Sequence, residues 1–109
     1  MTNLDILRRY FPMVVFDWDI GYRLNNNYSI DWLGVGEDFT VMHHVYDSSI
    51  GGYNDFESDF YGDLLDCLDY VLELEGNKKR STKEDRNDYL KIIKGENYLW
   101  EWVNQLTMH

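Results

Sequence analysis

Six carboxylates in one short stretch, Asp55, Asp59, Asp63, Asp66, Asp69 and Glu73, are the residues here with the clearest chemical potential. Five of them step by four, four, three and seven residues, and Asp69 lies beside them. On a helix they share one face over roughly 27 Å, at a rise of ~1.5 Å per residue. Carboxylates one turn apart repel by about 0.2–0.5 kcal/mol per pair, so a helix face kept only for solubility normally mixes in Lys. Between Asp55 and Glu75 there is neither Lys nor Arg. The array reads as a docking face for Arg and Lys, on a basic protein or in place of a nucleic-acid backbone, with Tyr53 and Tyr70 as contact rings. The structural reading of the same residues is a solvated face, answered by Lys78, Lys79 and Arg80 from the segment that follows.

Other reactive residue types are sparse. Asp17 and Asp19 flank Trp18, and paired carboxylates serve acid–base chemistry or a divalent cation only when further groups converge on them. His43 and His44 are adjacent, so on a strand they point to opposite faces and cannot jointly hold one metal. His43 shares the phase of Phe39, Val41 and Val45 and reads as a core or rim histidine. Gly34-Val35-Gly36 lacks the third glycine and the flanking context of a nucleotide loop. Cys67 reads as a small apolar filler on a buried stripe, not a nucleophile. The single Cys and scattered His predict no metal, no cofactor and no internal disulfide.

The elements that must position these groups follow from apolar spacing. Thr2 to Tyr10 reads as a short helix with Thr2 and Asp5 as a capping box, closed by Pro12. Strands are predicted at Met13–Trp18, Tyr28–Trp32 and Phe39–Tyr46, forming an antiparallel three-stranded sheet over about 13–46. Asp47 to Tyr53 reads as a loop. A long helix is predicted from an Asn54 cap to Glu75, with Phe60, Leu64, Cys67 or Leu68, Val71 and Leu74 as its buried stripe and Gly62 as a weak point. Ser81 and Glu84 form a second capping-box pattern, followed by helical phase through Tyr89, Ile92 and Ile93, and again through Leu99, Val103 and Leu106 past Gly95. The expectation is one α+β domain over 1–109.

Composition sets the class. Residues 1–77 carry fifteen acids against three bases, a charge of −12, whereas 78–109 carry +2, giving −10 overall. Such a surface speeds encounter with a cation and repels phosphate, which disfavours nucleic acid as a partner. Eighteen aromatic residues, four of them Trp and nine Tyr, argue against disorder. No apolar run is long enough for a membrane span, and the N-terminus lacks the pattern of a secretion signal. With one cysteine, the cytoplasm is the expected compartment.

A small, very acidic, aromatic-rich chain without a catalytic motif resembles the bacterial immunity proteins that neutralise nuclease toxins of colicin or contact-dependent-inhibition systems. Locally, Tyr61-Gly62-Asp63-Leu64-Leu65-Asp66 resembles the segment that opens the inhibitory helix of the barstar family; the likeness covers six residues and does not imply that fold. The resemblance implies no enzyme activity, a basic nuclease domain as partner, and Asp66 facing it. Two other readings stand beside it. One is a nucleic-acid mimic of phage or mobile-element origin, of anti-CRISPR or anti-restriction type. The other is a small enzyme built on Asp17, Asp19 and His43. Should the acid face prove only solvated, the binding surface falls around Tyr98, Trp100 and Trp102.

Overall fold

The computed structural model describes residues 1–95. Helix α1 (Asn3–Arg8) is followed by strands β1 (Val15–Asp17), β2 (Gly21–Arg23), β3 (Tyr28–Trp32), β4 (Phe39–Asp47) and β5 (Gly52–Gly62). Helices α2 (Leu64–Leu74) and α3 (Lys83–Lys94) complete the described fold. The class is α+β as expected, but the sheet is five-stranded, in the order β1-β2-β3-β4-β5, with every neighbouring pair antiparallel. The three-stranded expectation is therefore corrected twice. Gly21–Arg23, which lies outside the three predicted strands, pairs on both sides, and the stretch read as a loop and the first half of a helix is the longest strand of the sheet.

Tertiary pairing decides both cases. A three-residue strand such as β2 is too short to show a period of two. Gly21 is needed there because its φ is +90° and a Cβ would sit 2.5 Å from the Ile30 carbonyl oxygen. In β5 the four-residue spacing of Asp55, Asp59 and Asp63 suggested a helix, yet Phe56, Ser58 and Phe60 alternate with acids as a charged strand does. Opposite Val41, residues Ser58, Asp59 and Phe60 form a bulge. It is held by Thr40 Oγ1 donating to the Phe60 carbonyl at 3.0 Å and by the Phe60 N–H donating to Ser58 Oγ at 3.2 Å.

The helix begins only at Leu64, because Asp63 is its true cap: Asp63 Oδ1 accepts the Asp66 N–H at 2.8 Å, and Asp66 reaches back to the Asp63 N–H at 3.3 Å. Its buried residues are Leu64, Leu65, Cys67, Leu68, Val71 and Leu72, whereas Leu74, assigned to the stripe, is exposed. Thr2 and Asp5 do form the box of α1. The box of α3 is Thr82 with Asp85, one residue later than Ser81 and Glu84. The helical phase read beyond Gly95 lies outside the described residues.

The core lies between one face of the sheet, through Tyr22, Ile30, Phe39 and Val41, and the buried sides of the helices. Helix α1 is clamped to α3 by Arg9, whose guanidinium donates to Asp85 at 2.6 Å and Asp88 at 2.8 Å. The Tyr10 hydroxyl also donates to Asp85. By strand alternation the opposite face of the sheet carries Val15, Arg23, Ser29, Met42, His44, Tyr46, Tyr53 and Asp55.

Candidate functional site

Strand β5 is one edge of the sheet, and among the described residues no strand pairs with its outer side. The opposite edge, β1, has only three residues, against eleven in β5. Along β5 the exposed side chains are Tyr53, Asn54, Asp55, Phe56, Glu57, Asp59 and Tyr61. An uncovered edge of that length offers a row of backbone N–H and C=O groups to an incoming extended chain, and its carboxylates select what may approach.

The predicted acid face is dispersed by this geometry. Asp55 and Asp59 stand on the strand, Asp63 is a cap, and only Asp66, Asp69 and Glu73 lie on α2. Several are occupied structurally. Asp63 and Asp66 share Arg86, which comes from α3 and not from the Lys78–Arg80 linker. Asp69 accepts from the Ser81 N–H at 2.7 Å and its hydroxyl at 2.9 Å, fastening that linker to α2. Asp59 and Glu73 are exposed, and Glu57, which the spacing argument passed over, stands exposed with them. Tyr53 packs edge-on against Tyr46 at 5.4 Å, and Tyr70 stacks on Phe60 at 4.4 Å. Tyr61 to Asp66 runs from the end of β5 into the first turn of α2, with Asp66 exposed.

The residues raised for catalysis do not assemble. Asp17 Oδ1 accepts the Asp19 N–H at 2.9 Å and shapes the β1–β2 turn, while His43 stacks on Tyr28 at 4.8 Å, three strands away. Among the described residues no three His, Cys, Asp or Glu side chains converge as a metal site. Cys67 is fully buried, and burial first, then Asp63 and Asp66, pushes its thiol up to about 12, the opposite of what a nucleophile requires.

A different constellation appears on the outer face. Ser29 Oγ lies 2.7 Å from His44 Nε2, and His44 Nδ1 lies 2.6 Å from Asp55 Oδ1. Since a carboxylate only accepts, Nδ1 carries the hydrogen toward Asp55, and Nε2 faces the Ser29 hydroxyl. That is the connectivity of an acyl-transfer triad. Its setting is not. Ser29 is 0% and His44 3% exposed, and Ser29 is paired on both sides, with Arg23 and Met42, so the serine is closed to a substrate. On the same face Arg23 and Tyr53 come together, with guanidinium and ring 5.4 Å apart. They belong to β2 and β5, three strand spacings or about 14 Å apart, so their contact arches over β3 and β4 where Ser29 and His44 sit. The relay ties the edge strand to the sheet interior. Sequence periodicity had pointed to His43, because the strand pairing that joins Ser29, His44 and Asp55 is not visible in one chain segment.

His44→Leu is expected to cost about 2–3 kcal/mol, since it strands the buried Ser29 hydroxyl as well as removing a charge-assisted bond. Adding Ser29→Ala to it is expected to cost almost nothing more. Urea denaturation of the single and double variants checks this, and additive losses would show that the two side chains are not coupled.

Comparison with protein-family models, with curated proteins and with solved structures finds no match to this chain. Among the described residues no helix is long and apolar enough to cross a membrane.

Proposed function

We propose that this chain is an acidic protein-binding inhibitor of the immunity type, which captures a cationic nuclease toxin through β5 and the carboxylates around it in the cytoplasm. The observation that carries this reading is the long outer edge of β5 bearing exposed Asp55, Glu57 and Asp59 among exposed Tyr53, Phe56 and Tyr61. A net charge of −10 attracts a partner whose active site is built to hold phosphate, and it accelerates the encounter. Exposed rings beside the charges are the residue types that dominate binding energy once water is excluded. Asp66 and Glu73, both exposed and about two turns apart on α2, extend the acidic surface beyond the strand. The nucleic-acid-mimic reading needs carboxylates ranked along one surface like phosphates. It loses support because these acids are divided between strand, cap and helix, with Asp63 and Asp69 engaged inside the protein.

The test uses acids without a structural task. Glu57→Lys with Asp59→Lys and Glu73→Lys is expected to leave the fold unchanged. It should weaken binding to the nuclease recovered by cross-linking in the native host by about a hundredfold, with most of the early loss in association rate. Rising salt should slow the wild-type association in the same way. Lys78→Glu with Lys79→Glu is the control and should bind at least as tightly as the wild type. Normal binding by the triple variant would sink the proposal, as would a recovered partner with no cationic surface.

A further inference from the structure

Between β5 and the C-terminal half of α2 lies a groove of 390 Å³ lined by Tyr28, Val41, His43, Phe56, Tyr70 and Leu74. Two of these are exposed apolar side chains, Phe56 at 55% and Leu74 at 47%. The groove's floor is formed by the Tyr28 and His43 rings, which stack at 4.8 Å with planes 16° apart. Tyr70, stacked on Phe60 with planes 12° apart, separates it from a second hollow of 250 Å³ that Asp66, Asp69, Glu73 and Arg80 line. An apolar slot thus adjoins a carboxylate-rimmed one across a single aromatic wall, and Glu57 stands at the apolar slot's own rim.

We propose that the first groove receives one aromatic or branched aliphatic side chain from the same basic segment that β5 engages, while a neighbouring Arg or Lys of that segment lies over the Tyr70 wall toward Glu73. This inference rests on the docking reading above and adds a specificity element to it. Charge complementarity selects the occupant. The rim carboxylates and the net charge of −10 repel a second copy of this chain, and they favour an apolar residue carried between cations. The volume lies at the small end of ligand pockets, about 300–1,000 Å³, which suits a single side chain. A cation above the Tyr70 or Phe60 face also gains from the ring quadrupole.

Three synthetic peptides of equal length serve as probes: one carrying Arg and Phe, one with Phe replaced by Ser, and one with Arg replaced by Glu. Binding is read by chemical-shift changes in isotope-labelled full-length protein. The Arg–Phe peptide is expected to bind about tenfold or more tighter than the Arg–Ser peptide, and to shift the resonances of Tyr28, His43 and Phe56. The Glu–Phe peptide is expected not to bind. Phe56→Ser with Leu74→Ser changes two exposed positions, and should reduce Arg–Phe binding to the Arg–Ser level while the melting temperature holds. Equal affinity of the two Arg peptides overturns the groove assignment, as does undiminished Arg–Phe binding by that variant. In either case, Arg–Ser binding that is lost in the Glu57, Asp59 and Glu73 reversal leaves the docking reading intact. If neither Arg peptide shifts β5 or α2 resonances, both fall. A dimer in sedimentation that Phe56→Ser dissolves would assign the groove to a second copy instead.

Discussion

Asp85→Ala is expected to lower folding stability by about 3 kcal/mol, a large share of the 5–15 kcal/mol available to a domain of this size. The Asp85 side chain is 4% exposed and ends α1, the linker and α3 in one node. It accepts from Arg9 at 2.6 Å, from the Thr82 N–H at 2.9 Å and from the Tyr10 hydroxyl. Removing it leaves a part-buried hydroxyl and a guanidinium short of an acceptor. Arg9 is 34% exposed and keeps Asp88, which holds the cost below that of a sealed ion pair. Burial alone would raise the Asp85 carboxyl, but the Tyr10, Thr82 and Arg9 hydrogen bonds outweigh it and hold the group below its ordinary 3.8. A depressed carboxyl contributes stability that is fully present above its unfolded value and is lost as pH falls through the folded one. The gap between wild type and variant should therefore be widest near neutral pH and narrow progressively as pH falls below about 4. Urea midpoints across that range measure it, and equal midpoints at pH 7 would show the node to be dispensable.

In alkali the protein is expected to lose stability steeply from pH 9 upward. The Cys67 thiol moves from 9.0 to about 12 through burial, with Asp63 and Asp66 adding to it. The Tyr10 hydroxyl moves from 10.0 to about 12, through burial first and then its bond to Asp85. Both groups are neutral when protonated, and their raised values mean that the unfolded chain ionises first. Their contribution is complete below the unfolded values and declines by up to about 1.4 kcal/mol per pH unit for each group until the folded form ionises. Between pH 9 and 10 Cys67 acts before Tyr10, so Cys67→Ala should flatten that part of the curve after a fixed packing loss of about 1–2 kcal/mol. Tyr10, at the surface of the α1–α3 clamp, contributes less than its full shift. Parallel curves for wild type and Cys67→Ala between pH 9 and 10 would contradict this account.

How much of this was legible in the sequence depended on whether local pattern and tertiary pairing agreed. They agreed at α1, where Thr2 and Asp5 cap a short apolar helix, at Tyr28–Trp32, and at Cys67. They disagreed over Asn54 to Gly62. Four-residue spacing of acids is common to a helix face and to alternate outward positions of a strand, and only pairing with β4 decides between them. The error carried into the site, because a stripe assumed to lie opposite the core proved to include a helix cap and a linker anchor. Reversing Asp63 and Asp66 would therefore disturb the start of α2 and the Arg86 contact, so those two are poor probes of binding. The Ser29–His44–Asp55 relay was beyond reach, since its members lie on three different strands.

Because each strand pairs with its neighbour in the chain, the sheet can grow hairpin by hairpin, closing only short loops. The clamp of Arg9 on Asp85 and Asp88 instead joins residues 76 and 79 apart, and it must wait until α3 has been synthesised. The edge strand is thus built early and the first helix is locked late. On the proposed reading of β5 as a docking edge, that edge is completed before the molecule acquires its full rigidity.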